Sequence, residues 1–167
     1  MSGDSVRRGF QFEFDGREIG RSLEFIAFVF PPGGAFVVGW PAAPGEARHD
    51  AVGNPVLLHF APSRWLAPSP DAEITALVAA AEQSSAGTAV EVGGKWREYA
   101  LSGADAARAL ACSVDSVALL DGRECAAVNL FDCPCVLART GQGYAIWVQA
   151  SFAADLAGAF ARLRTVG

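Results

Sequence analysis

The stretch Tyr99-Ala-Leu-Ser-Gly-Ala-Asp-Ala-Ala-Arg-Ala-Leu110 changes period part-way along, and that limits what the chain can build. Tyr99 and Leu101 alternate with small or polar neighbours, as the end of a half-buried strand does. Ser102 is placed to accept from free backbone N–H groups of a following helix, with Asp105 three residues on in capping-box spacing. Gly103 allows a sharp turn between the two elements. A strand therefore ends, turns on Leu-Ser-Gly and enters a short alanine-rich helix.

The rest of the chain repeats that alternation of strands with capped helices. Phe10-Gln-Phe12-Glu-Phe14 alternates strictly and predicts a strand, with Asp15-Gly16 as the turn after it. Residues 23–30 are rich in aromatic and β-branched types and predict a second strand, stopped at Pro31-Pro32-Gly33-Gly34. Residues 35–40 lean to strand by residue preference. Pro55-Val-Leu-Leu-His-Phe60 is continuously apolar, which suits a central strand with no wet face. The Pro62–Pro70 segment turns the chain. Ser69 is then placed to cap a helix with Pro70 at its first position, whose Ile74, Leu77, Val78 and Ala81 form one apolar face.

Residues 88–92 and 96–101 predict two strands around a Gly93-Gly94 hairpin turn. After the alanine-rich helix and Asp121-Gly122, residues 125–131, 135–140 and 144–149 predict three more strands. Ser151 is placed to cap a last helix striped by Phe152, Leu156, Ala159, Phe160 and Leu163. Strands joined partly by hairpins and partly through helices give an α+β class. The divisions are a flexible tail at 1–8, an N-terminal lobe at 9–93 and a C-terminal lobe at 94–167, packed as one unit.

Several functions are excluded or made unlikely by simple counts. A chain of 167 residues buries about 70% of its unfolded surface, so it needs neither metal nor disulfides to fold. A net charge of −5 argues against nucleic acid, which requires a basic face. No apolar run approaches the ~18 residues of a membrane-spanning helix. Arg7-Arg8 is followed by polar residues and not by an apolar signal core, so the expected compartment is the cytoplasm. The four cysteines, Cys112, Cys125, Cys133 and Cys135, lack the paired spacing of a zinc ribbon; Cys133 and Cys135 are the weak metal candidates, behind a reading as buried thiols.

His49 and His59 have no nucleophile or orienting partner nearby in sequence, so no catalytic residue is assigned. Neither Gly33-Gly34 nor Gly93-Gly94 carries a phosphate-loop or dinucleotide fingerprint, so no cofactor is expected in this chain.

The junction Leu101-Ser102-Gly103 resembles that of the aminomethyltransferase-like, folate-binding superfamily, and most of all the gamma subunit of heterotetrameric sarcosine oxidase. Cys112-Ser-Val-Asp115, Gly122-Arg-Glu-Cys125, the Trp147–Ala153 strand-to-helix entry and Pro62-Ser-Arg-Trp65-Leu66 resemble its other turns. The similarity runs from about residue 39 to 163. It implies two ferredoxin-like β-α-β lobes like the aminomethyltransferase folate-binding domain. It also implies a non-catalytic accessory subunit of a flavin-dependent amine oxidase. The partners would be larger alpha and beta subunits and a small delta subunit, holding FAD, FMN, NAD and folate.

The alternative is a stand-alone folate-binding protein of one-carbon metabolism. Glu91 and Asp115 are its weak candidates, because a carboxylate can accept two parallel pterin N–H bonds. Glu91 is followed by Val-Gly and not by the hydroxyl residue the family carries there. Seven of the eleven phenylalanines precede residue 40, in a chain that is 51% hydrophobic. Phe10, Phe12 and Phe14 on one strand face are therefore the expected contact with a partner or a second copy.

Overall fold

The computed structural model describes residues 9–31 and 35–165; the expected tail at 1–8 and the stop at 32–34 lie outside them. The strands are β1 (Glu13–Glu18), β2 (Ser22–Ala27), β3 (Ala47–His49), β4 (Pro55–Ala61), β5 (Arg64–Pro68), β6 (Gly87–Glu91), β7 (Trp96–Ser102), β8 (Cys125–Leu130), β9 (Cys133–Thr140) and β10 (Gly143–Gln149). The helices are α1 (Ala72–Gln83), α2 (Ala106–Ala111), α3 (Ser116–Leu119) and α4 (Ala153–Thr165), the last entered through a 3-10 turn at Ala150–Phe152. The class is α+β, built on two antiparallel five-stranded sheets ordered β3-β4-β5-β2-β6 and β1-β7-β10-β9-β8.

Strand alternation explains why three apolar layers arise from two sheets. On β10, Tyr144, Ile146 and Val148 pack outward beneath Leu110, Leu156 and Phe160, while Trp147 turns inward. On β5, Trp65 and Ala67 pack outward with Ile74 and Val78 of α1, while Leu66 turns inward. The inner layer joins Leu58, Phe60 and Leu66 of the first sheet to Val136, Ala138 and Trp147 of the second. Both faces of the central strands are covered, which is why β4 and β9 read as continuous apolar runs.

The two sheets differ in connection. Strands β5 and β6 both run antiparallel to β2 between them, so β5-α1-β6 is a split β-α-β crossover. Strands β7 and β8 are separated by β10 and β9 in an antiparallel series, so β7 and β8 oppose each other. The second sheet thus lacks the parallel crossover that the expected ferredoxin-like lobe would have. Strand β1, assigned from the sequence to the first lobe, pairs with β7 in the second sheet.

Other departures have local causes. Asp15-Gly16 is not a turn; both residues lie inside β1, opposite Ala100 and Tyr99. A Cβ on Gly16 would stand 2.5 Å from the Tyr99 ring, so the glycine serves close packing. Residues 35–40 do not form a strand but bend, with the Trp40 N–H donating to Val37 O at 3.2 Å. That bend returns Phe36 and Trp40 onto Phe25, at 5.1 and 5.0 Å between ring centroids. The Pro62–Pro70 segment contains β5, hairpin partner of β4.

Three expected caps shift along the chain. Asp71, not Ser69, caps α1, accepting from the Ile74 N–H at 2.8 Å. Ser102 stays in β7, and Asp105 occupies the cap position of α2. Ser151 lies within the 3-10 turn. Gly93-Gly94 is no hairpin: it carries the chain from β6 in one sheet to β7 in the other.

Candidate functional site

A buried charged cluster grows from a rule violation in β2. Leu23, Phe25 and Ala27 point into the outer layer, so Glu24 between them must face the other sheet. It is 2% exposed. Its carboxylate accepts from the Arg64 guanidinium, from Lys95 Nζ at 2.7 Å and from Trp96 Nε1 at 3.1 Å. Burial pushes its pKa up, but the bonds from Lys95, Arg64 and Trp96 outweigh burial and hold it below the ordinary carboxylate value. Arg64 also lies 5.0 Å above the Phe60 ring, and Lys95 5.3 Å from that of Trp96. The only sequence signal for this cluster was one glutamate inside an apolar strand.

Beside this cluster the first sheet is left uncovered. Ile26 pairs with Arg64 and Thr88, one row beyond Glu24 with Leu66 and Val90. Ile26, Phe28, Val29, Phe30 and Val90 are all large, apolar and exposed.

A cleft of about 890 Å³ opens between the sheets elsewhere, lined by Arg17, Asp50, Glu98, Gln142 and Trp147 among others. Glu98 accepts from Trp147 Nε1 at 2.8 Å and pairs with Arg17. Glu98 and Arg17 are thus engaged with groups of the chain itself.

The residues singled out from sequence are dispersed. Glu91 is exposed at the end of β6 and pairs with Arg21 at 2.6 Å. Asp115 caps α3, accepting from the Val117 and Ala118 N–H groups at 3.2 Å. The two carboxylates belong to separate local structures. Cys133 and Cys135 share the outward face of β9 in the layer beneath α4, and each thiol donates to a main-chain carbonyl. Burial first, then Cys133, pushes Cys135 up to about 12; burial, Asp155 and Asp132 raise Cys133. Among the described residues, no three His, Cys, Asp or Glu gather around a common point.

His59 is buried and stacks on Trp65 at 3.9 Å between centroids. Its Nε2–H donates to Pro62 O at 3.2 Å, while Nδ1 has no hydrogen-bond partner among the described residues. Burial lowers its pKa.

The expected contact residues turn into their own core. Phe12 is buried edge-on against Phe160 at 5.9 Å. Phe14 stacks on Tyr99 at 4.4 Å and on Phe160 at 4.2 Å. Phe10 is half-buried, with Arg108 4.7 Å from its ring. These three rings pack within the chain, and the exposed aromatic rings of the N-terminal third are Phe28 and Phe30. All four tryptophans are buried.

No protein-family model matches the chain, and no curated protein matches it. No helix among the described residues is long and apolar enough to cross a membrane. Among solved structures, it is similar to a chain of the heterotetrameric sarcosine oxidase from Corynebacterium sp. U-96, solved in complex with pyrrole 2-carboxylate. The TM-score is 0.68 at 20% identity, covering 97% of this chain and 91% of that one. The resemblance carried by short turns in the sequence is thus met by a likeness of fold along nearly the whole chain: this protein has the fold of a chain of heterotetrameric sarcosine oxidase.

Proposed function

We propose that the chain is a non-catalytic accessory subunit of a sarcosine oxidase-like, flavin-dependent amine oxidase in the cytoplasm. The observation that carries this reading is coverage in both directions. The likeness spans 97% of this chain and 91% of a chain from a heterotetrameric enzyme, so it concerns a whole subunit and not a borrowed motif. A chain of this kind contributes assembly, and FAD, FMN, NAD and folate belong to its larger partners.

We do not assign folate to Glu91 or Asp115, the carboxylates singled out for it. A pterin edge needs a carboxylate that faces a cavity with its oxygens available. Glu91 is solvent-exposed and paired with Arg21, Asp115 is spent on a helix cap, and Glu98 in the cleft already holds Trp147 and Arg17. No step of a reaction is assigned to this chain.

Co-expression with the large alpha and beta subunits tests the proposal. The chain is expected to co-purify in a fixed ratio and to show no amine oxidase activity by itself. Failure to associate, or oxidase turnover by the isolated chain, would overturn it.

A further inference from the structure

We infer that the uncovered end of the β5–β2–β6 face docks a larger subunit through an apolar segment that carries carboxylates; this rests on the accessory-subunit reading. The register defines the face. Leu66, Glu24 and Val90 form one row across the three strands, and Arg64, Ile26 and Thr88 form the next. Glu24 and Leu66 in the first row are buried, beside the Trp96 indole and Lys95. Beyond them Ile26 is 36% exposed, Val90 42%, Phe28 67% and Val29 61%; Phe30 instead lies 6.3 Å from the Trp65 ring, towards the outer layer. Single exposed apolar residues are ordinary, but Ile26, Phe28 and Val29 close together, with Val90 on the neighbouring strand, mark a contact surface.

The charges beside it select the occupant. Arg64 and Lys95 share the single carboxylate of Glu24, leaving one positive charge in excess. Their side chains are now 41% and 36% exposed, so water still solvates them. A partner that covers the face removes that water and must supply an anion in its place. A second copy of this chain does not suit: a two-fold contact sets the same patch against itself and brings like charges together.

The occupant lies across the face and does not extend the sheet. Strand β6 is an edge, yet Glu82 closes it: its Oε2 accepts from the Ala89 N–H at 2.9 Å and from Thr88 Oγ1 at 3.1 Å.

The test is co-expression with the large subunits followed by affinity measurement and a thermal melt of each isolated variant. Phe28→Asp and Val29→Asp place repulsive charge on the face at exposed positions; Val117→Asp, on exposed α3, is the control. Each face variant is expected to weaken association by roughly tenfold or more with an unchanged melt. Val117→Asp and the edge-opening Glu82→Ala are expected to bind as the parent does. If the parent assembles and both face variants assemble equally well, this surface is wrong while the subunit reading stands. If the parent itself does not assemble, both fall. Loss of self-association alone in the face variants would make the occupant a second copy and overturn the inference.

Discussion

At the scale of single residues, stability rests on two buried ionisable groups that acid affects in the same direction. Glu24 has a folded pKa below its ordinary value of 4.5, so its contribution is complete above that value and is lost as pH falls through the folded pKa. His59 has a folded pKa below 6.5, so the unfolded chain takes up its proton first, and stability falls as pH drops below that value. Denaturant midpoints measured against pH should therefore decline in two stages. His59→Gln is expected to remove the upper stage and leave the lower one. A midpoint flat from about pH 7 to 5 in the parent would contradict the assignment. Glu24→Gln keeps the shape but removes the charge that holds Arg64 and Lys95. A cost of about 2 kcal/mol is expected, set by the buried Trp96 and glutamine groups left imperfectly paired and moderated by the solvent that reaches both cations. Urea melts check it.

At the scale of elements, the junction between β7 and α2 is governed by glycine and not by a cap. Ser102 remains in the strand, opposite Glu13 on one side and Gly143 on the other. Gly103 has φ of 109°, and a Cβ there would stand 3.0 Å from the Phe12 backbone. The Asp105 carboxylate meanwhile reaches the Gln11 N–H at 2.8 Å and ties the segment ahead of β1 to the same corner. Ser102→Ala is accordingly expected to stay within about 0.5 kcal/mol of the parent, as surface changes do. Gly103→Ala should cost about 2 kcal/mol or more, because it adds backbone strain to a steric clash. Equal melting temperatures for the two variants would show that the turn is not held by this contact.

At the scale of the whole molecule, one layered unit is built around an inner apolar layer shared by both sheets. Glu91, Asp115 and Glu98 are each already engaged within the chain. Excess tetrahydrofolate should therefore leave the melting temperature of the isolated chain unchanged. A ligand at 100 times its Kd adds about 2.7 kcal/mol, so a rise of several degrees, abolished by Glu91→Ala, would restore the folate reading.

What the sequence by itself determined is what depends on short separations. The apolar and alternating runs gave β4, β7, β9 and β10, the period-3.6 stripes gave α1 and α4, and together they gave the α+β class. The resemblance in the turns pointed to the same heterotetrameric oxidase, one chain of which the fold matches. Tertiary structure alone decided pairing. Asp15-Gly16 reads as a turn until β7 supplies partners, and Gly93-Gly94 reads as a hairpin until β2 takes β6 and β10 takes β7. The surface was decided in the same way. Phe12 and Phe28 are equally apolar in the sequence, but α4 covers the first with Phe160, whereas the second lies beyond the end of β2. Glu24 looks like an ordinary charged residue until Arg64, 40 positions away, and Lys95, 71 away, converge on it. Periodicity reports which face a residue occupies; only long-range packing determines whether that face meets another layer, a charge or water.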